Sequence, residues 1–177
     1  MIWQNIKKIN ASIEKGGKAG IVNSMMHVTN ALKTVGIDIK RKVFSEIYEN
    51  LGGNIKYIVS AAAPIDAKVG KWVQDLGITF LQGYGLTETA PLLAGSGVKI
   101  TKPGTIGPIV EGVELKILDP DPKTGIGEVV VKGPNVMKGY YKAPELTAAA
   151  FTTKEDSVGE GWYKTGDLGD LDKTGRL

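Results

Sequence analysis

The chain contains no cysteine, so disulfides and thiolate metal sites are excluded outright. The same absence removes any redox argument about compartment and speaks against a small secreted scaffold held by cross-links. Histidine occurs once, at position 27. His27 stands in a helical pattern beside a methionine pair, where such side chains serve as packing material, and it is assigned no function. Long apolar runs are missing as well. The longest fall well short of a bilayer-spanning helix, and the opening Met-Ile-Trp-Gln-Asn-Ile-Lys-Lys lacks the layout of a signal peptide. The expectation is a cytoplasmic protein. Strong net charge is absent too, at +3, but the balance is uneven. Residues 1–60 carry nine Lys/Arg against four Asp/Glu, and the remainder carries thirteen against fifteen. The basic front segment is expected to be a solvated face, with contact to an anionic membrane surface as the alternative. Its basic residues are not interleaved with stacking aromatics, so no nucleic-acid partner is expected.

What is present is an ordinary globular composition, 42% hydrophobic and 23% charged, in 177 residues. That length suits one substantial domain or two small ones. The first third carries helical spacing. Ile2, Ile6, Ile9 and Ile13 form one apolar stripe, broken by Gly16-Gly17. Ile21, Met25, Val28 and Leu32 form a second, stopped at Gly36, and Val43, Phe44, Ile47 and Leu51 a third, ended by Gly52-Gly53. The character then changes. Ile55–Val59 is a short β-branched run, Asp66 is a candidate N-cap, and Val69, Trp72, Val73 and Leu76 fall on one helical face ending at Gly77. Ile78–Leu81 is a second strand. Strand, helix, strand in so short a span predicts a right-handed βαβ unit with parallel strands. From about residue 98 glycine and proline recur, Val113–Leu118 alternates as a half-exposed strand should, and Glu128–Lys132 is another short strand. Asp119–Gly125 between them is a turn by composition, and Pro144–Phe151 a short helix. The predicted fold is α/β: a partial parallel sheet with flanking helices over 1–97, then a smaller, mostly antiparallel β subdomain over 98–177.

The stretch Phe-Leu-Gln-Gly-Tyr-Gly-Leu-Thr-Glu-Thr, residues 80–89, concentrates the chemistry. It follows the second predicted strand, and Ser60–Pro64 follows the first. In open α/β sheets ligands bind beyond the carboxyl ends of parallel strands, so the two loops are expected to wall one crevice. Gly83 and Gly85 permit close backbone approach, Tyr84 offers an aromatic face, Thr87 and Thr89 hydroxyls, and Glu88 a carboxylate. As a dinucleotide fingerprint the stretch fails, because Glu88 stands where the third glycine belongs; as a phosphate loop it lacks Gly-Lys-Ser/Thr. A plain strand-to-loop turn with exposed polar residues stays open on these residues alone.

Four stretches in order, however, resemble the adenylate-forming, AMP-producing acyl-CoA synthetase family. Tyr84-Gly85-Leu86-Thr87-Glu88 resembles its aromatic-Gly-x-Thr-Glu signature. Ser60–Pro64 resembles its adenine loop, with Ala61 and Ala62 where the family has a glycine pair. Gly127–Gly133 followed by Gly139-Tyr140-Tyr141 resembles its Gly-Glu-Leu…Gly…Gly-Tyr motif, and Trp162–Leu168 its Trp-Phe-x-Thr-Gly-Asp motif. Residues 36–53 and the signature itself are most similar to the long-chain fatty acid branch.

The resemblance implies a ligase that activates a fatty acid with ATP to acyl-AMP and pyrophosphate, then forms acyl-CoA. It implies ATP/AMP, Mg²⁺ and coenzyme A as the molecules handled. Tyr84 would stack on adenine, lined by the backbone of Ala62, Ala63 and Gly83. Gly85 would admit the acyl carboxylate, Asp167 would accept from the ribose hydroxyls, and Thr87 would meet the α-phosphate. Glu88 would help hold Mg²⁺, so Thr87 and Glu88 are the implied catalytic pair. The methyls of Ala61 and Ala62 would narrow the approach of the base. The resemblance also implies a much longer protein. The expectation is an internal segment without the phosphate loop and the C-terminal lysine domain, itself inactive in thioester formation. An α/β dinucleotide-binding oxidoreductase domain, a ligase for another carboxylic acid, and a non-catalytic interaction module are the rival readings.

Overall fold

Glycines and short apolar runs punctuate the chain where the sequence places them, as seen in a computed structural model that describes residues 17, 19–61, 65–98 and 104–177. The first predicted helix, carrying Ile2 to Ile13, lies outside the described residues. Two units divide the rest. The first includes the described residues through Ile58 together with Lys68–Phe80; the second comprises Val59–Ala67 and Leu81–Leu177.

In the first unit, α1 spans Ala19–Thr34. Its C-terminus closes at Gly36, whose φ of 85° suits a residue without Cβ, while the Ile37 N–H returns to the Leu32 carbonyl at 3.0 Å. The helix is where its periodicity predicts, but its stripe faces the other way. Ile21, Met25 and Val28 are 58%, 43% and 59% exposed, whereas Met26 and Thr29 are buried. Thr29 tolerates burial because its hydroxyl donates to the Met26 carbonyl at 3.2 Å. The third predicted helix is two, α2 (Lys40–Val43) and α3 (Ser45–Asn50), parted at Phe44 where the backbone leaves helical angles. Phe44, Ile47 and Tyr48 are its buried face. Lys40 is buried as well; its ammonium donates to Asn30 Oδ1, and burial holds its pKa below the ordinary lysine range.

The βαβ unit is present as β1 (Tyr57–Ser60), α4 (Ala67–Asp75) and β2 (Thr79–Tyr84). Gly70 of α4 lies against the Phe80 ring, where a Cβ would come within 3.1 Å. β2 runs on past Leu81, so Gly83 and Tyr84 belong to the strand and not to a loop after it. Two residues, Ala94–Gly95, form β3 and pair antiparallel with β2 at Gly83↔Gly95 and Tyr84↔Ala94. The sheet has the order β1-β2-β3 and is mixed.

In the second unit, β4 (Glu114–Leu118), β5 (Gly127–Lys132) and β6 (Tyr163–Gly169) form an antiparallel sheet in that order. Asp121 shapes the β4–β5 turn: its Oδ1 accepts the Lys123 and Thr124 N–H groups at 2.9 and 2.8 Å. The run Val129-Val130-Val131 is apolar throughout because both faces of β5 are covered. Val129 and Val131 pack with Leu93, Leu115 and Tyr163 on one side, and Val130 with Leu118 and Trp162 on the other. The last helix, α5, stops at Ala149, short of the expected Phe151. Phe151 instead sets its ring edge-on to Tyr163 at 5.7 Å.

The fold is thus α/β, a partial parallel sheet with flanking helices followed in sequence by a smaller antiparallel β subdomain. Among the described residues no helix is long and apolar enough to cross a membrane.

Candidate functional site

The second unit carries a cleft of about 730 Å³, lined by Ser60, Ile65, Gln82–Leu86, Gly104–Ile106 and Asp167–Asp170 among others. Ser60 and Gly83–Leu86 come from the two loops and strand ends that the sequence assigns to one crevice. Ala62 and Ala63 lie outside the described residues. Their described neighbours on either side, Ser60 and Ile65, are in the wall.

Tyr84 closes β2 and Asp167 lies in β6, far apart in sequence. The fold brings them together: the Tyr84 hydroxyl donates to Asp167 Oδ2 at 2.8 Å. Asp167 is held in turn. Its N–H donates to Thr165 Oγ1 at 3.2 Å, and the buried Thr165 hydroxyl donates to the Val129 carbonyl at 2.8 Å. Gly166 adopts φ 75° and gives its N–H to Glu128 Oε1 at 3.0 Å, which turns the Asp167 carboxylate outward. Burial raises the Tyr84 pKa above the ordinary tyrosine value, and the Asp167 hydrogen bond and charge add to it, while Thr165 acts in the opposite direction. Tyr84 therefore stays a neutral aromatic donor beside an exposed carboxylate.

The two glycines of Gly-Tyr-Gly differ. A Cβ on Gly83 would meet only Leu92 Cδ1, at 3.3 Å. On Gly85 it would lie 1.6 Å from the Pro91 carbonyl oxygen, so the chain's own return path demands glycine there. Thr87–Thr89 then forms a single 3₁₀ turn. Its three polar side chains take different parts. Thr89 is fully buried, and its Oγ1 accepts the Leu86 N–H at 3.0 Å while lying 3.0 and 3.2 Å from the Leu86 and Pro91 carbonyls. It holds the turn and is not available to a ligand. Ala90, at φ 48°, completes the reversal.

Thr87 points to solvent. Glu88 is half-buried, and its Oε1 accepts from the Tyr140 hydroxyl at 3.1 Å. The cleft wall ends at Leu86, so Thr87 and Glu88 continue the chain from its rim. Among the described residues no group of three or more His, Asp or Glu gathers to cage a metal ion. One carboxylate beside one hydroxyl nevertheless fits Mg²⁺, a hard cation that keeps several waters and takes its other ligands from substrate phosphates.

Asn135, Tyr140 and Thr165 were not singled out as site residues from sequence. The Gly-Tyr-Tyr and Thr-Gly-Asp motifs that contain Tyr140 and Thr165 were the available signal.

Residues 17–141 match the family profile described as AMP-binding enzyme. The chain is 39% identical over 137 residues to the long-chain-fatty-acid–CoA ligase FadD15 of Mycobacterium bovis, covering 77% of this chain and 21% of that protein. It is 36% identical over 135 residues to 4-coumarate–CoA ligase 2 of Oryza sativa, covering 67% of this chain and 22% of the relative. The solved structure of ATP-bound MatB from Rhodopseudomonas palustris superimposes with a TM-score of 0.60 at 34% identity, over 72% of this chain and 25% of that one. The chain thus spans about a fifth of the length of the curated relatives it matches. With that profile across most of its length, the chain belongs to the AMP-binding enzyme family, the adenylate-forming acyl-CoA ligases.

Proposed function

We propose that the chain is a segment of an ATP-dependent ligase that activates a long-chain fatty acid. The observation that carries the nucleotide part of this reading is the Tyr84–Asp167 hydrogen bond of 2.8 Å at the wall of the cleft, and the 39% match to a long-chain-fatty-acid–CoA ligase supports the choice of acid. An aromatic ring tied to a carboxylate offers a face for a purine and, beside it, acceptors for ribose hydroxyls. Tyr84 stacks on adenine, with the backbone of Ala62, Ala63 and Gly83 along the base, and Asp167 accepts from the ribose. Thr87 donates to the α-phosphate, and Glu88 supplies an oxygen ligand for Mg²⁺. That ion, when bound, neutralises phosphate charge and aligns its oxygens. Gly85 leaves room at the phosphorus for the acyl carboxylate.

In the full ligase, a carboxylate oxygen of the acid forms a bond to the α-phosphorus as the bond to the pyrophosphate oxygen breaks. The acid is already ionised, so no side chain need remove a proton, and charge stabilisation is the task of the site. The coenzyme A thiol, as thiolate, then takes the acyl carbon and AMP leaves. Residues 1–97 and 98–177 act as parts of one adenylation domain. The chain's span of about a fifth of its relatives supports the view that alone it binds nucleotide weakly and forms no thioester. Cytoplasmic location and peripheral membrane contact belong to the same proposal, as does the absence of a nucleic-acid partner. A ligase for another carboxylic acid is the second reading, favoured by the 36% match to a 4-coumarate ligase.

Calorimetric titration of the 177-residue chain with AMP, ATP and NAD tests the binding claim. AMP and ATP are expected to bind and NAD not, with Asp167→Ala weakening AMP by about tenfold or more through loss of hydrogen bonds to a charged acceptor. Equal binding of NAD, or an unchanged Asp167→Ala, overturns it. In the full-length ligase, pyrophosphate release is expected with fatty acids; release only with aromatic acids selects the second reading, and none with either class refutes both. Acyl-CoA formed by the chain alone overturns the claim that it is inactive.

A further inference from the structure

Gly139-Tyr140-Tyr141 has no part in the Tyr84–Asp167 pair, yet its first tyrosine reaches the acidic turn. The Tyr140 hydroxyl donates to Glu88 Oε1 at 3.1 Å. Three to five residues earlier the same segment grips the backbone of that turn. The Met137 N–H donates to the Glu88 carbonyl at 2.7 Å. Asn135 Nδ2 donates to the Thr89 and Leu92 carbonyls at 2.8 and 3.1 Å. Residues 135–140 therefore form a strap across residues 88–92, all within the second unit.

The strap is fixed from behind. Gly139 has φ 147°, and a Cβ there would lie 2.6 Å from Thr147 Cγ2. With glycine in place, the Tyr140 N–H reaches Thr147 Oγ1 at 2.9 Å, and the Thr147 hydroxyl is itself anchored on the Ala143 carbonyl at 2.9 Å. Gly133 similarly leaves space for Asn135, whose Oδ1 would be 2.8 Å from an added Cβ. Tyr163 meets Tyr140 from the core side. Its pKa is raised first by burial, and its neighbour Tyr140 adds to the shift. A side chain held at backbone, flank and hydroxyl has one orientation, and it hands that orientation to the carboxylate it bonds.

We propose that Tyr140 and Asn135 are positioning residues for the Thr87–Thr89 turn: Tyr140 aims the Glu88 carboxylate, and Asn135 holds the Thr89 and Leu92 carbonyls. This rests on the nucleotide reading for its chemical meaning, since the aimed carboxylate serves the metal-bound phosphates and not the nucleoside. Removing the Tyr140 hydroxyl frees Glu88 to rotate, which weakens a ligand carrying phosphates and Mg²⁺ but not adenosine, which Tyr84 and Asp167 hold. Removing Asn135 loosens the turn itself.

Amide hydrogen exchange and ligand titration of the 177-residue chain separate the two. Asn135→Ala is expected to speed exchange at Thr89 and Ala90 by about tenfold, while the β5 amides of Val129–Val131 stay within about twofold. Unchanged exchange at Thr89 and Ala90, or equal acceleration in β5, overturns the role of Asn135. Tyr140→Phe is expected to weaken MgATP by about fivefold or more and adenosine by less than about twofold. Equal weakening of both ligands, or of neither, overturns the role of Tyr140. If the wild-type chain binds neither ligand, the nucleotide reading falls and the role of Tyr140 with it, and the exchange result still decides Asn135.

Discussion

Replacing Gly85 with alanine puts one methyl group where the chain folds back on itself. Its carbon would lie 1.6 Å from the Pro91 oxygen, 2.7 Å from the Pro91 carbonyl carbon and 3.0 Å from Leu92 Cα. All three are backbone atoms, so no side chain can swing aside. Opening the closest contact from 1.6 Å to even 3.0 Å moves the Pro91–Leu92 peptide by about 1.4 Å. That segment leads straight into Leu93, which is 0% exposed and whose N–H donates to the Tyr84 carbonyl at 2.8 Å. It also receives the Thr89 hydroxyl, 3.2 Å from Pro91 O. Two hydrogen bonds at about 1 kcal/mol each, with about 1–3 kcal/mol for overpacking, give a destabilisation of about 3–5 kcal/mol. The control is Gly97→Ala, where an added Cβ meets nothing within 4 Å; it should stay within about 0.5 kcal/mol. The assay is urea unfolding followed by Trp162 fluorescence, with Trp3 and Trp72 changed to phenylalanine in every sample. At a slope of about 1–2 kcal/mol per molar urea, the Gly85→Ala midpoint should fall by about 1.5 M or more. A midpoint equal to that of Gly97→Ala would refute the reasoning and leave Gly85 a role toward ligand alone.

Two further outcomes follow from burial. Tyr48, Tyr84 and Tyr163 all bind their protons more tightly than the ordinary value of 10.0, with burial the largest cause in each. A folded-state pKa above the unfolded one means that stability is fully present below pH 10 and is lost as pH rises through and beyond it. The urea midpoint should therefore fall above about pH 10, and less steeply in Tyr84→Phe; identical slopes would contradict this. In α1, Met26→Lys should destabilise the first unit by about 3 kcal/mol or more, because it buries a charge, whereas Met25→Lys should change it by less than about 0.5 kcal/mol. Circular dichroism at 222 nm under urea measures both, and equal effects would show that the stripe assignment is wrong.

Much of the fold was legible in local spacing. Val69, Trp72, Val73 and Leu76 announced α4, and Gly36, Gly52 and Gly77 marked ends that the backbone confirms with φ of 85°, 94° and 91°. The extents of β2 and α5 and the division of the third helix at Phe44 were not legible, because propensity does not locate element ends to the residue. The two-residue strand β3 was invisible for a related reason: so short a segment carries no periodicity, and only its pairing with Gly83 and Tyr84 makes it a strand. In the site, residue types told which chemistry was possible, but not how it was shared. Thr87, Glu88 and Thr89 are equally polar on paper, yet one is exposed, one is bonded to Tyr140 and one is buried as the fastener of the turn.

The sequence by itself determined most of the succession of helices and strands, β3 and β6 excepted, together with the glycines at the reversals and the four motifs that carry the family resemblance. Those are local properties, written in spacings of two to four residues. Only the tertiary structure decided which face of α1 is covered, that Gly85 is needed by the carbonyl of Pro91, and that Tyr84 meets Asp167 while Tyr140 meets Glu88. Each of those depends on a partner whose position is set by chain reversals and sheet pairing, and no local pattern records where that partner will be.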